Sequence, residues 1–372
     1  MRHSVLLLCA ILFLGHSSAV EARDEEPIVS GLKKSEWIRM LEDPSARKRR
    51  AAVVALGVVG SLHKDVVPAL GRALRDKDQA VRSQAIQVLA GMRHEDIREL
   101  VPEFADLIKE DPDVAVRQQA ASLLGRIGPL AKPALGRLIQ TLDDKEVVVR
   151  SAAAEAIGRI GPDAREAAAS LIPLLKDKEF TIRLAAVFSL GRIGWDSELQ
   201  LNAMVKTLLE DDAVEIRKEA ARSLGLLETA AKPAIPALLK ALRSDSSADV
   251  RQQAAQAVGK MGPEIAAWKD DLLEAMKKDR DKSVRLHVLR ALSGSLGESF
   301  PMVLPELISL LKTEADGEIR LALVQEIGAM GPAAIGALPS LMAAQQDVQI
   351  TIREAAKAAV KKVQTPAEPK KP

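Results

Sequence analysis

The sequence predicts an all-α protein, a right-handed α-solenoid of about ten stacked helical hairpins. Three observations predict it. One Arg returns at a near-constant interval, three further columns keep step with it, and apolar residues fall at helical spacing within each period. The Arg recurs as Arg49, Arg82, Arg117, Arg150, Arg183, Arg217, Arg251, Arg285, Arg320 and Arg353, at intervals of 33, 35, 33, 33, 34, 34, 34, 35 and 33. So even a period marks a stacked array, since one such unit cannot bury its apolar face alone and neighbours must cover it.

The columns place each element of the period. Prolines 68, 102, 236, 305 and 339 stand 14 or 15 residues before their Arg, near the start of a first helix (helix A), where a missing N–H costs little. Six residues before the Arg comes an acid: Asp43, Asp76, Asp111, Asp144, Asp177, Asp211, Asp245, Asp279, Glu314 and Asp347. It marks a short turn. Four before the Arg, Ser45, Asp78, Asp113, Ser247, Asp281 and Asp316 are good N-caps for a second helix (helix B). Within helix B the apolar residues step by three and four, as in Val149, Ala152, Ala153, Ala156, Ile157 and Ile160. Gly follows the Arg by eight at 57, 125, 158, 191, 225, 259 and 328, and Gly-Pro pairs at 128, 161, 262 and 331 end the helix. The pattern breaks at Ala90-Gly91, at Ser293-Gly294 and at Gly194-Trp195, where Trp195 is expected to plug the stack.

Composition narrows the function classes. Hydrophobic residues are 47% but aromatics only 2%, so small and branched aliphatics do the packing. Lys+Arg 53 against Asp+Glu 51 leaves a charge of +2, without the basic excess on which nucleic-acid binding depends. The sole Cys is Cys9, and His63, His94 and His287 share no ligand spacing, so no metal, cofactor or catalytic thiol is expected. Neither a phosphate loop nor a nucleophile elbow is present.

At the front, Arg2 and His3 precede the apolar run 5–14 and small residues at 17–22, the order of a secretory signal peptide cut after Ala19 or Ala22. The run is well short of the ~20 residues that span a bilayer. The expected organisation is a signal peptide at 1–22, a linker at 23–33, the repeat array at 34–362 and a disordered tail at 363–372. This gives a secreted or periplasmic protein with no membrane segment after cleavage.

These columns resemble the HEAT repeats, and more narrowly their bilin-lyase-like subgroup. The resemblance rests on the early helix-A Pro, the turn Asp, the Val-Arg pair, and the Ala-Leu-Gly-Arg-Ile-Gly-Pro run that stands here as 124–129, 156–162 and 190–194. It implies that the turn acids and helix-B arginines hydrogen-bond along the stack: Asp111, Arg117, Asp144, Arg150, Asp177, Arg183, Asp211, Arg217, Asp245 and Arg251 are then a structural ladder. It also implies that helices B line the concave face. The alternative is a bilin-lyase-like or other HEAT-fold enzyme, but an export signal argues against a cytoplasmic lyase. The one His-Glu pair, His94-Glu95, cannot supply the iron ligands of the hydroxylase of this fold.

On helix B, positions one, five and nine after the Arg form a stripe away from the apolar side. Mid-array they read Gln118, Ser122, Arg126; Ser151, Glu155, Arg159; Leu184, Phe188, Arg192; Lys218, Arg222, Leu226; Gln252, Gln256, Lys260. An aromatic among cations is the composition of an interaction hot spot. The candidate partner-binding residues are therefore Arg126, Arg159, Phe188, Arg192, Arg222 and Lys260, and the expected partner is an acidic or amphipathic protein segment.

Overall fold

A computed structural model describes residues 26–60 and 63–365. The expected signal peptide and most of the tail lie outside the described residues. The molecule is an all-α solenoid of ten helical hairpins, with helices B at Ala46–Gly60, Gln79–Leu89, Val114–Ile127, Val147–Ile160, Phe180–Arg192, Val214–Leu226, Ala248–Val258, Lys282–Leu296, Gly317–Ala329 and Ile350–Gln364. Each contains one Arg of the column, which numbers the repeats 1 to 10. No helix among the described residues is long and apolar enough to cross a membrane.

Local chemistry sets the helix ends. Asp78, Asp113, Asp281 and Asp316 cap their B helices by accepting two backbone N–H groups each. The expected caps Ser45 and Ser247 do not act this way: Ser247 makes no side-chain cap bond, and at Ser45 it is the carbonyl that accepts from Lys48 and Arg49. A hydroxyl offers one weak acceptor where Asp offers a charged one, and the neighbouring acids already hold these turns. At Gly128 and Gly161 the chain turns with φ of 66° and 81°, and each glycine opens a 3₁₀ segment that leads into helix A. In repeat 6 the lead is absent. Gln200, fully buried, fastens the substitute loop by donating to Leu190 O and Gly194 O and accepting from Asp196 N. Trp195 packs half-buried against the core beside it.

Helices B pack against one another more closely than helices A do, and the glycine column explains why. A Cβ on Gly125 would stand 3.1 Å from Ala156 Cα, one on Gly158 2.7 Å from Ser189 Cα and one on Gly225 3.0 Å from Ala257 Cα. A methyl at Gly158 would force the next helix to shift, and at Gly125 and Gly225 it would make a contact tighter than ordinary packing. Where the column holds Ala90 or Ser293, the next B helix sits less closely packed. Ser189 and Ser223 also stitch neighbours together, their hydroxyls donating to Ala154 O at 2.7 Å and Val187 O at 3.0 Å.

Both ends depart from the repeat. Residues 23–33, expected as a linker, include a two-stranded hairpin in which Ile28–Val29 pairs with Leu32–Lys33. Ser30 and Gly31 turn it with positive φ, and Trp37 Nε1 donates to Val29 O. Strands this short carry no periodic signal. In repeat 10, the positions four and eight after the Arg hold exposed Lys357 and Lys361, where repeat 9 holds buried Val324 and Gly328. This half of the last helix is thus polar where its counterparts are packed.

Candidate functional site

The arginine column is a hydrogen-bonded ladder that crosses from repeat to repeat. Arg82 donates through Nε and Nη2 to both carboxylate oxygens of Asp111 in the next repeat, at 2.7 and 2.8 Å, and through Nη1 to its own repeat's Asp76 O at 2.9 Å. The same fork joins Arg49 to Asp76, Arg117 to Asp144, Arg183 to Asp211, Arg217 to Asp245, Arg251 to Asp279 and Arg320 to Asp347. For each forked Arg the acid six residues before it therefore supplies a carbonyl, while the ion pair is made 27 to 29 residues away. Each acid also accepts the N–H two residues on, as Asp111 does from Asp113 at 2.9 Å.

Two rungs differ. Arg150 donates only to the Asp144 and Lys145 carbonyls and makes no bond to Asp177. Arg285 reaches the longer Glu314 through Nη1 alone at 2.6 Å, leaving its buried Nε without a partner. Among the described residues no group of three or more His, Cys, Asp or Glu could hold a metal.

Burial pushes Asp76, Asp144 and Asp245 upward, but the Arg hydrogen bonds, the backbone N–H and the Arg charge together outweigh it and hold each below the ordinary carboxylate range. For Asp347 the Arg320 hydrogen bonds dominate, with the same result. A carboxylate lowered by folding stabilises fully above its unfolded value, about 3.9, and loses that contribution as pH falls through the folded one. The melting temperature is therefore expected to hold at neutral pH and drop steeply below about pH 4. A melt unchanged between these two conditions would remove the ladder from the account of stability.

With the ladder arginines committed, the stripe of exposed cations on helices B is what remains. The Arg192 guanidinium lies over the Phe188 ring, 4.3 Å from its centroid. It makes no other interaction among the described residues, so its N–H edges stay open. Phe188 is half-buried and fixes the cation in place. Arg126 is less available: its Nη2 donates to Ala90 O at 2.7 Å, at the end of the preceding B helix. Arg159 lies 4.0 Å from Glu155, and these two with Arg126 line a shallow depression of about 410 Å³ between the helices of repeats 3 and 4. Arg222 is forked onto Glu219. Lys260 is exposed and unpaired among the described residues.

Of the stripe's six cations, Arg192 and Lys260 make no hydrogen bond or ion pair among the described residues, Arg159 is loosely paired with Glu155, and Arg126, Lys218 and Arg222 are used internally. Sequence reasoning confined to mid-array repeats misses its beginning. Extended to repeat 1 the same positions read Arg50, Val54 and Val58, and the two valines are 46% and 58% exposed.

A family model described as HEAT repeats matches residues 35–101, 74–139, 101–191, 135–225, 201–293 and 269–361. No curated protein matches the chain. Among solved structures, an engineered protein is 19% identical with a TM-score of 0.53, covering 90% of this chain and 99% of its own. Importin β is 16% identical with a TM-score of 0.55 over 89% of this chain, which spans 49% of its length. At such identities both likenesses concern the fold alone.

Proposed function

Because the chain belongs to the HEAT-repeat family, we propose that it is a non-catalytic protein-interaction scaffold that holds an acidic or amphipathic protein segment along its helix-B face. The closer packing of helices B than of helices A supports reading theirs as the inner, concave side, a long shallow surface suited to an extended partner. Of the HEAT subgroups the bilin-lyase-like repeat is the best fit to the Ala-Leu-Gly-Arg-Ile-Gly-Pro run, as a repeat type and without its chemistry. The n-, h- and c-region order of residues 2–22 supports work in the periplasm or at the cell exterior.

One observation carries the reading: a guanidinium stacked on an aromatic face with its hydrogen-bonding edges unused, Arg192 over Phe188. Such a pair is preorganised. The ring orders the side chain before a carboxylate arrives, so less entropy is lost on binding. Exposed Leu226 in the next repeat and the cations Arg159 and Lys260 to either side extend the surface with apolar and charged contacts.

The test is a pull-down from a periplasmic extract with the wild type and the Phe188→Ala/Arg192→Ala double variant. Partners recovered by the wild type are expected to be lost with the variant, whose melt should stay close to wild type because both side chains face solvent in part. Equal recovery by the two proteins would discard this face.

A further inference from the structure

Repeat 10 ends in an unused copy of the device that joins the other repeats. Arg353 donates Nη1 to Asp347 O at 2.8 Å and Val348 O at 3.1 Å, as its counterparts do. Its Nε and Nη2, the edge that grips an acid in the ladder, have no partner among the described residues. Around it the turn edge of the repeat is apolar and bare: Val348 is 88% exposed, Ile350 63% and Met342 56%. The turn position of Val348 is exposed in the other repeats too, whereas the place of Ile350 is half-buried in six of them. A Cβ on Gly317, which holds the place of Ile350 in repeat 9, would collide with Gln349 of the following turn. Val114, Val147 and Val214, at the same place, are half-buried.

We propose that the turn edge of repeat 10 is a second docking surface, and that its occupant is an acidic turn of a partner protein: an Asp whose carboxylate enters the Arg353 fork, followed by a helix start that covers Val348 and Ile350. The chain itself displays the complement in seven forked rungs, where the Asp also accepts the N–H two residues on and opens a helix. Charge points the same way. Lys357 and Lys361 lie further along the same helix and only Glu354, paired to Lys357, offsets them, so an acidic element is attracted. The two lysines stand where the other B helices are packed, so the contact is confined to the turn. A second copy of this chain does not fit. Of its turn acids without an Arg, Asp177 lies inside the array and Asp43 is already held by Ser45 N–H and Lys48.

The probe is a fluorescein-labelled peptide with the sequence of residues 107–127, which contains Asp111 and the helix start it opens, titrated into the full chain and followed by anisotropy. Saturable binding is expected, weakened about thirtyfold or more by Asp111→Asn in the peptide, a change that leaves the protein untouched. Arg353→Ala and Ile350→Ser in the protein should weaken it comparably, while Phe188→Ala should not. No saturable binding, or equal binding of the Asn peptide, overturns the proposal. So does binding that appears only when residues 366–372 are removed, which would make the chain's own tail the occupant, and so does peptide-independent self-association in sedimentation.

Discussion

Asp111→Ala is expected to cost about 3–5 kcal/mol, the loss on stripping one partner from a buried ion pair. Arg82 and Asp111 are both nearly inaccessible, with side chains 9% and 2% exposed, and the substitution leaves two guanidinium nitrogens facing a void. The damage should be local, because a solenoid's stability is a sum of nearest-neighbour interfaces. The joint between repeats 2 and 3 already lacks the glycine contact, Ala90 standing in that column. Amide exchange over residues 34–90 is therefore expected to accelerate well before that of repeats 4 to 7. The control is built into the molecule. Asp177 receives no Arg, so Asp177→Ala removes only the bond from Glu179 N–H, worth about 1 kcal/mol. Equal destabilisation by the two substitutions would show that the fork contributes nothing.

The same comparison separates what the sequence discloses from what it conceals. The arginine and acid columns are plain in it because a repeat writes each contact many times over. Which acid pairs with which Arg is not, since a partner six residues back and one 27 or so residues ahead fit the same two columns. Only the direction of the guanidinium fork decides. The missing rung at Arg150 is invisible for the same reason: its residues are those of any other repeat. On the candidate surface, Phe188 and Arg192 are legible as an i, i+4 pair on one face. That Arg222 is spent on Glu219 and Arg126 on a neighbouring carbonyl depends on rotamers that no spacing encodes. Arg353 is the converse case. Its residue type is that of the column, and its difference is only that no described residue fills the fork.

Gly158→Ala and Gly294→Ala are expected to move stability in opposite directions, although both exchange a helix-B glycine for the best helix former. At Gly294 nothing lies within 4 Å of the new methyl, so the full propensity gain, about 1 kcal/mol, should appear. At Gly158 the methyl would stand 2.7 Å from Ser189 Cα and 2.9 Å from its Cβ, and relief requires the whole next helix to move. Overpacking of this kind costs about 1–3 kcal/mol, more than propensity returns. Moving that helix also lengthens the bond from Ser189 Oγ to Ala154 O. Gly158→Val should be worse again. Thermal melts of the three variants decide the matter: if Gly158→Ala melts as high as Gly294→Ala, the helices are not in contact at this column. The contrast has a physical root in the sequence. Seven repeats keep glycine where B helices touch, whereas repeat 8 has Ser293 there, a looser joint, and an acid one methylene longer to span it, Glu314. Glycine in this array is therefore a spacer that sets the distance between helices, and helix propensity is given up at each place where the spacing is needed.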